Sequence, residues 1–504
     1  MKTRKLRTTL TTFTLAAIAA PLVAAAVQPA AAQPAIVIPP VHIAVGAPKE
    51  DVGGLKDAGT VTLLVGGPLS PTLIWSLEDL TPIPGNTIVY RQGSNGISGT
   101  PERGDRFGHA VVLGDFNGDR TPDIAISAPG EDTRTKDNVG VVHVVHGRDG
   151  VAHGGRRLTL HPGRKGVPGG RSDGDRFGES LTIADLNGDG YDELIVGTPR
   201  KDHSGAVDAG EIHVFFGSED GLTTRSERIR QGVGGIPDQA ETGDRFGQVL
   251  ASQTGSLTLA VGIPREDVEG VPNAGAVQII APTSPESQLF LHQGVEMFED
   301  QLEPRDQFGR AVSLSSTPGV PDFFVSIGAP YEDFNGRSNA GIVHVLSYRP
   351  DALSDNPFEA LTIDLTSRNY KGEPKSGDRF GWSLIQRGTR PLVGVPGDDP
   401  GGNDGAGSMR GTGGSMLNQN TAGVPDSNEP GDAFGQVGAA SPYRSFFVFG
   451  VPKEDVGSAK NAGMVLFESR DINAPGWLRF DENSRAVPGA VERFDRFGDA
   501  VAVW

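Results

Sequence analysis

A Phe-Gly pair, usually set in Gly-Asp-Arg-Phe-Gly, recurs at Phe107, Phe177, Phe246, Phe308, Phe380, Phe434 and Phe497, with spacings of 70, 69, 62, 72, 54 and 63 residues. A second string, a small residue followed by Pro and then by acid or Lys and Asp, recurs at Pro48, Pro129, Pro199, Pro264, Pro330, Pro396 and Pro452. In each copy an Asp stands three residues after the Pro: Asp51, Asp132, Asp202, Asp267, Asp333, Asp399 and Asp455. A Gly stands eleven after it: Gly59, Gly140, Gly210, Gly275, Gly341, Gly407 and Gly463. Self-similarity at this period means one supersecondary unit stacked on copies of itself. Length variation is absorbed elsewhere, never inside this second string.

Between the turn signals lie short runs rich in β-branched residues, among them Ile124 to Ile126, Val141 to Val145, Leu194 to Val196, Ile212 to Phe216 and Ile342 to Leu346. Their length is that of strands. The chain also has 71 Gly and 37 Pro among 504 residues, which rules out a long helical bundle. A unit of roughly 65 residues holds four strands, and a radial array of four-stranded blades hides most sheet edges. The expected fold is all-β, a seven-bladed β-propeller of four-stranded antiparallel blades over residues 41–504. The first Pro-Asp-Gly string has no Phe-Gly before it and the last Phe-Gly has no Pro-Asp-Gly after it, so the two halves complete one another. One blade is expected to be shared between residues 41–75 and 493–504, with the strand-like Ala500-Val501-Ala502-Val503-Trp504 pairing back onto the first strand.

These strings resemble the FG-GAP repeat, the building block of the integrin α-subunit N-terminal propeller and of many exported bacterial proteins. The resemblance runs over nearly all of residues 41–504. Phe107-Gly108 and its equivalents supply the first motif line. The second is supplied by Gly46-Ala47-Pro48, Ser127-Ala128-Pro129, Gly197-Thr198-Pro199, Gly262-Ile263-Pro264, Gly328-Ala329-Pro330, Gly394-Val395-Pro396 and Gly450-Val451-Pro452. Phe suits a wedge between blades, Gly a close approach or positive φ, and Pro with Asp a fixed turn.

Two repeats carry more than architecture. Between Phe107 and Pro129 runs Asp115-Phe-Asn117-Gly-Asp119-Arg-Thr121-Pro-Asp123; between Phe177 and Pro199 runs Asp185-Leu-Asn187-Gly-Asp189-Gly-Tyr191-Asp-Glu193. Oxygen side chains fall at positions 1, 3, 5 and 9 of a glycine-bearing loop, a pattern that suits the six to eight oxygens Ca²⁺ requires. Mg²⁺ suits it less, because its octahedron is stricter and it retains water. The loops resemble the family's calcium loops. That likeness assigns the ligand role to Asp115, Asn117, Asp119 and Asp123 and to Asp185, Asn187, Asp189 and Glu193, with Thr121 and Tyr191 contributing backbone carbonyls. Glu193 departs from the family's Asp. The other repeats act as an internal control: the Phe-to-Pro distance of 22 residues falls to 18 after Phe246 and Phe434 and to 16 after Phe380. The repeat from Phe308 keeps 22 but offers Ser316, Pro318, Val320 and Phe324 at the ligand positions. Two calcium sites are expected, not seven.

The formal charge of −18 argues against nucleic acid and anionic membranes as partners, and the absence of cysteine excludes disulfides, thiolate metal sites and cysteine nucleophiles. Lys2, Arg4, Lys5 and Arg7, the apolar run Leu15 to Val27 and Ala30-Ala31-Ala32 before Gln33 read as a signal peptide over 1–32, cleaved near Ala32-Gln33 and followed by a short linker over 33–40. Its removal takes the charge from −18 to −22. No later stretch is long and apolar enough to span a bilayer, so a secreted, extracellular monomer is expected.

Other signals weigh less. His143, His213 and His344 each follow a repeat's closing Gly by three residues, but they fall on different blades and are expected to alternate outward. Gly170-Arg-Ser172-Asp-Gly174 matches an esterase pattern without its strand-to-helix setting. Arg103-Gly104-Asp105 is part of the repeat string. Recurrent Asp-Arg pairs such as Asp105-Arg106, Asp244-Arg245 and Asp378-Arg379 suit turn capping and blade bridging, with a ligand rim as the alternative. No catalytic constellation is evident. The expected role is a non-catalytic binding or adhesion module for an extracellular protein or glycan; the alternatives are a secreted hydrolase with its site at the propeller channel, or a purely structural envelope protein.

Overall fold

The computed structural model describes residues 41–504 apart from 67–86, 283–287, 299, 321, 350–357, 368–369, 388–389, 442–445, 471–475, 485–486 and 488. The signal peptide and linker expected over 1–40 lie outside the described residues. Seven four-stranded antiparallel sheets follow one another along the chain. In the second blade, for example, the strands are Val111–Gly114, Asp123–Ala128, Val141–Val145 and Arg157–Leu160, running from the innermost outward. Its two middle strands are buried along their whole length, because each face packs on a neighbouring blade. That double burial explains why apolar residues occupy successive positions, as in Ile124 to Ile126 and in Val141, Val142, Val144 and Val145. The outer strands are less buried: Glu227 and Arg228 lie exposed in Ser226–Ile229.

The ring closes as the repeat order requires. Ala500–Val503 pairs antiparallel with His42–Ala47, setting Ile43 opposite Val503 and Gly46 opposite Ala500. Thr60–Val65 and Thr87–Tyr90 complete that blade. Its outer strand therefore falls beyond the stretch 41–75 in which it was expected, because residues 67–86 intervene.

The repeated residues turn out to be the joints between blades. Each repeat Phe is buried, with Phe107 packed among Val61 and Leu63 of one blade and Ile124 and Ile126 of the next. Its N–H donates to the carbonyl of the residue before the previous blade's closing Gly, from Phe107 to Ala58 through to Phe497 to Ala462, at 2.8–3.0 Å in all seven cases. The closing Gly has φ between +78° and +90°, and a Cβ on it would stand 2.2–2.4 Å from the Phe carbonyl oxygen. Glycine is required there on both counts. The Asp after each Pro plays an equally fixed part, its Oδ1 accepting the N–H six residues on at 2.6–2.9 Å in all seven copies.

His143, His213 and His344 do not alternate outward as expected. All three are buried, and each lies against the Phe of its own repeat, with ring centroids 5.7, 5.5 and 5.4 Å apart. Both faces of a middle strand are interior in a propeller, so alternation offers such a residue no solvent side.

Candidate metal loops and the channel

Each innermost strand starts at the Phe-Gly end and each second strand returns to the Pro-Asp turn. The connection between them therefore lies on the opposite face. Both acidic loops are such connections, in consecutive blades.

In the first loop the side chains fold over the loop's own N–H groups. Asp115 Oδ2 accepts from Arg120 N–H at 2.8 Å, Asn117 Oδ1 from Asp119 N–H at 3.2 Å, and Asp119 Oδ1 from Thr121 N–H at 2.7 Å. Asp123 is buried, with Oδ2 accepting from Phe116 N–H at 3.0 Å and facing His146 Nδ1 at 3.0 Å, and Oδ1 accepting from Gly147 N–H at 2.6 Å. A carboxylate oxygen has two lone pairs, so Asp123 has spare capacity only at Oδ1. Asp115 Oδ1 is buried and receives no hydrogen bond. An orphaned anionic oxygen within an all-oxygen donor set fits a hard divalent cation.

The second loop repeats this design with a longer arm. Asp185 accepts from Asp189 and Gly190 N–H, Asn187 Oδ1 from Asp189 N–H at 2.8 Å, and Asp189 Oδ1 from Tyr191 N–H at 3.0 Å. Glu193 Oε2 takes Leu186 N–H at 2.7 Å, the bond equivalent to that between Asp123 and Phe116. Burial pushes the Glu193 carboxyl up to about 8, and the charges of Asp189 and Asp185 add to the effect. Burial likewise raises Asp115 and Asp185 above the usual carboxylate range.

Asp192, at position 8, is a residue that spacing alone does not single out. Its Oδ2 accepts Asp115 N–H and its Oδ1 accepts Gly255 N–H, both at 3.0 Å, so one buried carboxylate ties three consecutive blades together. Position 8 of the first loop is Pro122, which is why the motif hides it.

Elsewhere the structure gathers carboxylates that were not expected to meet. Glu50, Glu482 and Asp495 each bring an oxygen within 4.8 Å of the others at the closing blade, and Glu303, Asp306 and Glu332 do so in another. Among the described residues, four Gln amides donate to the Glu two residues after a GAP proline, pairing Gln92 with Glu131, Gln231 with Glu266, Gln293 with Glu332 and Gln419 with Glu454. Burial pushes Glu266 up to about 10 and Glu332 and Glu454 up to about 9. Such groups favour the fold when protonated. Their contribution is complete below an unfolded carboxyl pKa of about 4.3 and is lost as pH rises through these higher values. The unfolding midpoint in chelator is therefore expected to fall between about pH 5 and pH 9, and Glu266→Gln should flatten that slope; a midpoint that rises over this range would contradict the assignment.

The innermost strands enclose a central channel with a cavity of about 570 Å³, lined by groups such as Thr182, Ser252, Gln253, Ser313 and Gln386. None of its described lining residues has an ionisable side chain. Ser172 lies in a loop where Lys201 Nζ reaches it at 3.2 Å, and Asp105 of the Arg-Gly-Asp triplet is buried while accepting Glu102 N–H. Among the described residues no helix is long and apolar enough to cross a membrane.

The FG-GAP repeat family matches residues 107–145 and 177–215, the two repeats that hold the acidic loops. Phosphatidylinositol-glycan-specific phospholipase D of Bos taurus is 30% identical over 211 residues, 41% of this chain and 24% of that protein. Integrin alpha-PS5 of Drosophila melanogaster is 34% identical over 120 residues, 24% of this chain and 10% of that protein, and Integrin alpha-5 of Xenopus laevis is 29% identical over 169 residues, 31% and 14%. The chain thus spans a quarter or less of the length of each of these three relatives. With seven blades joined through Phe-Gly and Pro-Asp-Gly strings, the chain contains FG-GAP repeats, two of them matched by the family, and forms a β-propeller consistent with that of integrin α-subunits.

Proposed function

We propose that this protein is an exported, calcium-stabilised propeller that serves as a non-catalytic binding or adhesion module for an extracellular macromolecule or surface glycan. The observation that carries the calcium reading is the pair of matching acidic loops on consecutive blades, with Asp115 Oδ1 buried and unbonded in the first. Asp115, Asn117, Asp119 and Asp123 would hold one ion, and Asp185, Asn187, Asp189 and Glu193 the other, with the carbonyls of Thr121 and Tyr191. The ion supplies positive charge that crosslinks loop oxygens; Asp192 then transmits that rigidity to the flanking blades. Similarity to integrin α-subunits supports a recognition role. The names of the phospholipase relatives keep a hydrolase in view; among the described residues, the side chains lining the channel carry no ionisable group, which favours the binding reading.

A ligand present at a hundred times its Kd stabilises a fold by about 2.7 kcal/mol per site. Chelation is therefore expected to lower the unfolding midpoint measurably, and Asp119→Ala with Asp189→Ala to remove most of the difference. Retention of the purified protein on extracellular matrix or envelope preparations should weaken in parallel. A midpoint that is the same in chelator and in millimolar calcium would rule out the calcium reading.

A further inference from the structure

On the face opposite the acidic loops, the repeat positions nearest the channel mouth carry the reverse charge. Three repeat positions per blade stand at the Phe-Gly end, where the innermost strands begin: the residue before Phe, the residue after the Phe-Gly pair, and the residue after the GAP proline. The first is Arg in five repeats, at Arg106, Arg176, Arg245, Arg379 and Arg496. The third is basic in four, at Lys49, Arg200, Arg265 and Lys453, and the second adds Arg310. Every blade contributes at least one of these ten cations, against only Glu179 and Asp499 as acids at the same positions, in a chain whose formal charge is −18.

The topology makes this a ring. The innermost strands line the channel, so residues at their starts encircle one mouth of it. Mutual repulsion can be followed around the circle. Burial first and then neighbouring cations lower Lys49 through Arg496 and Arg106, Arg176 through Arg200, Arg106 and Arg245, Arg310 through Arg265 and Arg379, and Lys453 through Arg496 and Arg379. Few of these charges are neutralised. Arg200 meets Glu179 at 3.3 Å and Arg245 meets Asp208 at 3.2 Å; among the described residues the other eight form no ion pair within 4.0 Å. The Nε–H groups of Arg245 and Arg496 are buried without an acceptor. Arg310 and Arg379 lie over the Trp382 ring at 4.6 and 5.4 Å, and this fixes guanidinium groups at the rim.

We propose that this basic rim is a binding site for an acidic polysaccharide, a flexible chain bearing carboxylate or sulfate groups, seated over the channel mouth on the Phe-Gly face. A circle of eight guanidinium and two ammonium groups, eight of the ten without an ion-pair partner within 4.0 Å among the described residues, matches a ligand that presents several planar or tetrahedral anions in succession. The overall negative charge disfavours a stiff, densely charged duplex, which would extend past the rim into the acidic surroundings. The site gives the binding role proposed above its face and its ligand class, and it rests on that role.

The test uses the full chain with polyuronate, dextran sulfate, neutral dextran and duplex DNA as probes at about 50 mM salt. Either acidic glycan should bind, weakening as salt rises, while neutral dextran should not; comparing polyuronate with dextran sulfate tells carboxylate from sulfate recognition. Lys49→Glu with Arg265→Glu and Lys453→Glu should weaken binding at least tenfold. These three residues sit outside the left-handed turn positions, so the fold should tolerate them. Arg148→Glu with Arg225→Glu, whose side chains are 72% and 78% exposed in loops of the other face, should change it less than threefold. If the triple variant misfolds, Lys453→Glu alone should still weaken binding. The proposal is overturned if neither acidic glycan binds, if the distal pair weakens binding as much as the rim variant, or if DNA binds as tightly as the glycans. Matrix retention that survives the rim substitutions would also refute it while leaving the broader binding role standing.

Discussion

Gly275→Ala is expected to destabilise the ring by several kcal/mol, enough to prevent folding or to reduce the unfolding midpoint severely, whereas Gly270→Ala in the same turn should cost only about 1 kcal/mol. The two glycines have nearly the same backbone, φ +88° and +83°, so the left-handed strain is shared. What differs is the space around them. A Cβ on Gly275 would stand 2.3 Å from the Phe308 carbonyl oxygen and 2.6 Å from its amide nitrogen, while nothing lies within 4 Å of Gly270. Relief at Gly275 would need the next blade to move away, breaking the bond from Phe308 N–H to Ala274. Chemical denaturation of both variants measures the gap, and equal costs would mean that the blades do not meet at this glycine.

The second large effect concerns the ends of the ring. Removing Ala500 to Trp504 strips the innermost strand from the closing blade, exposes the edge of His42–Ala47 and uncovers a strand that is buried throughout. Val503 and Trp504 are themselves buried, and burial of such side chains is worth about 1.5–3 kcal/mol each. A loss of ~4 kcal/mol or more is expected, with aggregation through the bared edge. Static light scattering together with thermal unfolding reads both outcomes.

Much of this architecture is written in residues whose role is local and repeated. Phe, the closing Gly and the turn Asp each meet the same partner in every blade, so their spacing alone reveals the number of blades and the order of closure. Residues 67–86 lengthen one connection without any repeat signal, and this put the outer strand of the closing blade, Thr87–Tyr90, outside its expected stretch. The acidic loops are visible because ligand spacing is a chain-local property. Asp192 is not, since its partners Asp115 and Gly255 belong to other blades and only the ring brings them together. For the same reason the three histidines read as outward-facing when strand alternation alone is considered; that reasoning omits the second packed face. The basic rim is hidden by a strongly negative net charge, which says nothing about where the positive minority is placed.

Disulfide trapping tests ring closure most directly, because the chain has no cysteine of its own. Ala44 and Ala502 face one another across the terminal pair, and directly paired antiparallel residues lie within the roughly 4.4–6.8 Å Cα separation that a disulfide spans. In Ala44→Cys with Ala502→Cys, mild oxidation should yield a single intramolecular crosslink, identified by mass spectrometry, and should raise stability by up to about 4 kcal/mol because the bridged loop is so long. Two thiols that stay free in the folded, oxidised protein would contradict a ring closed between its first and last strands.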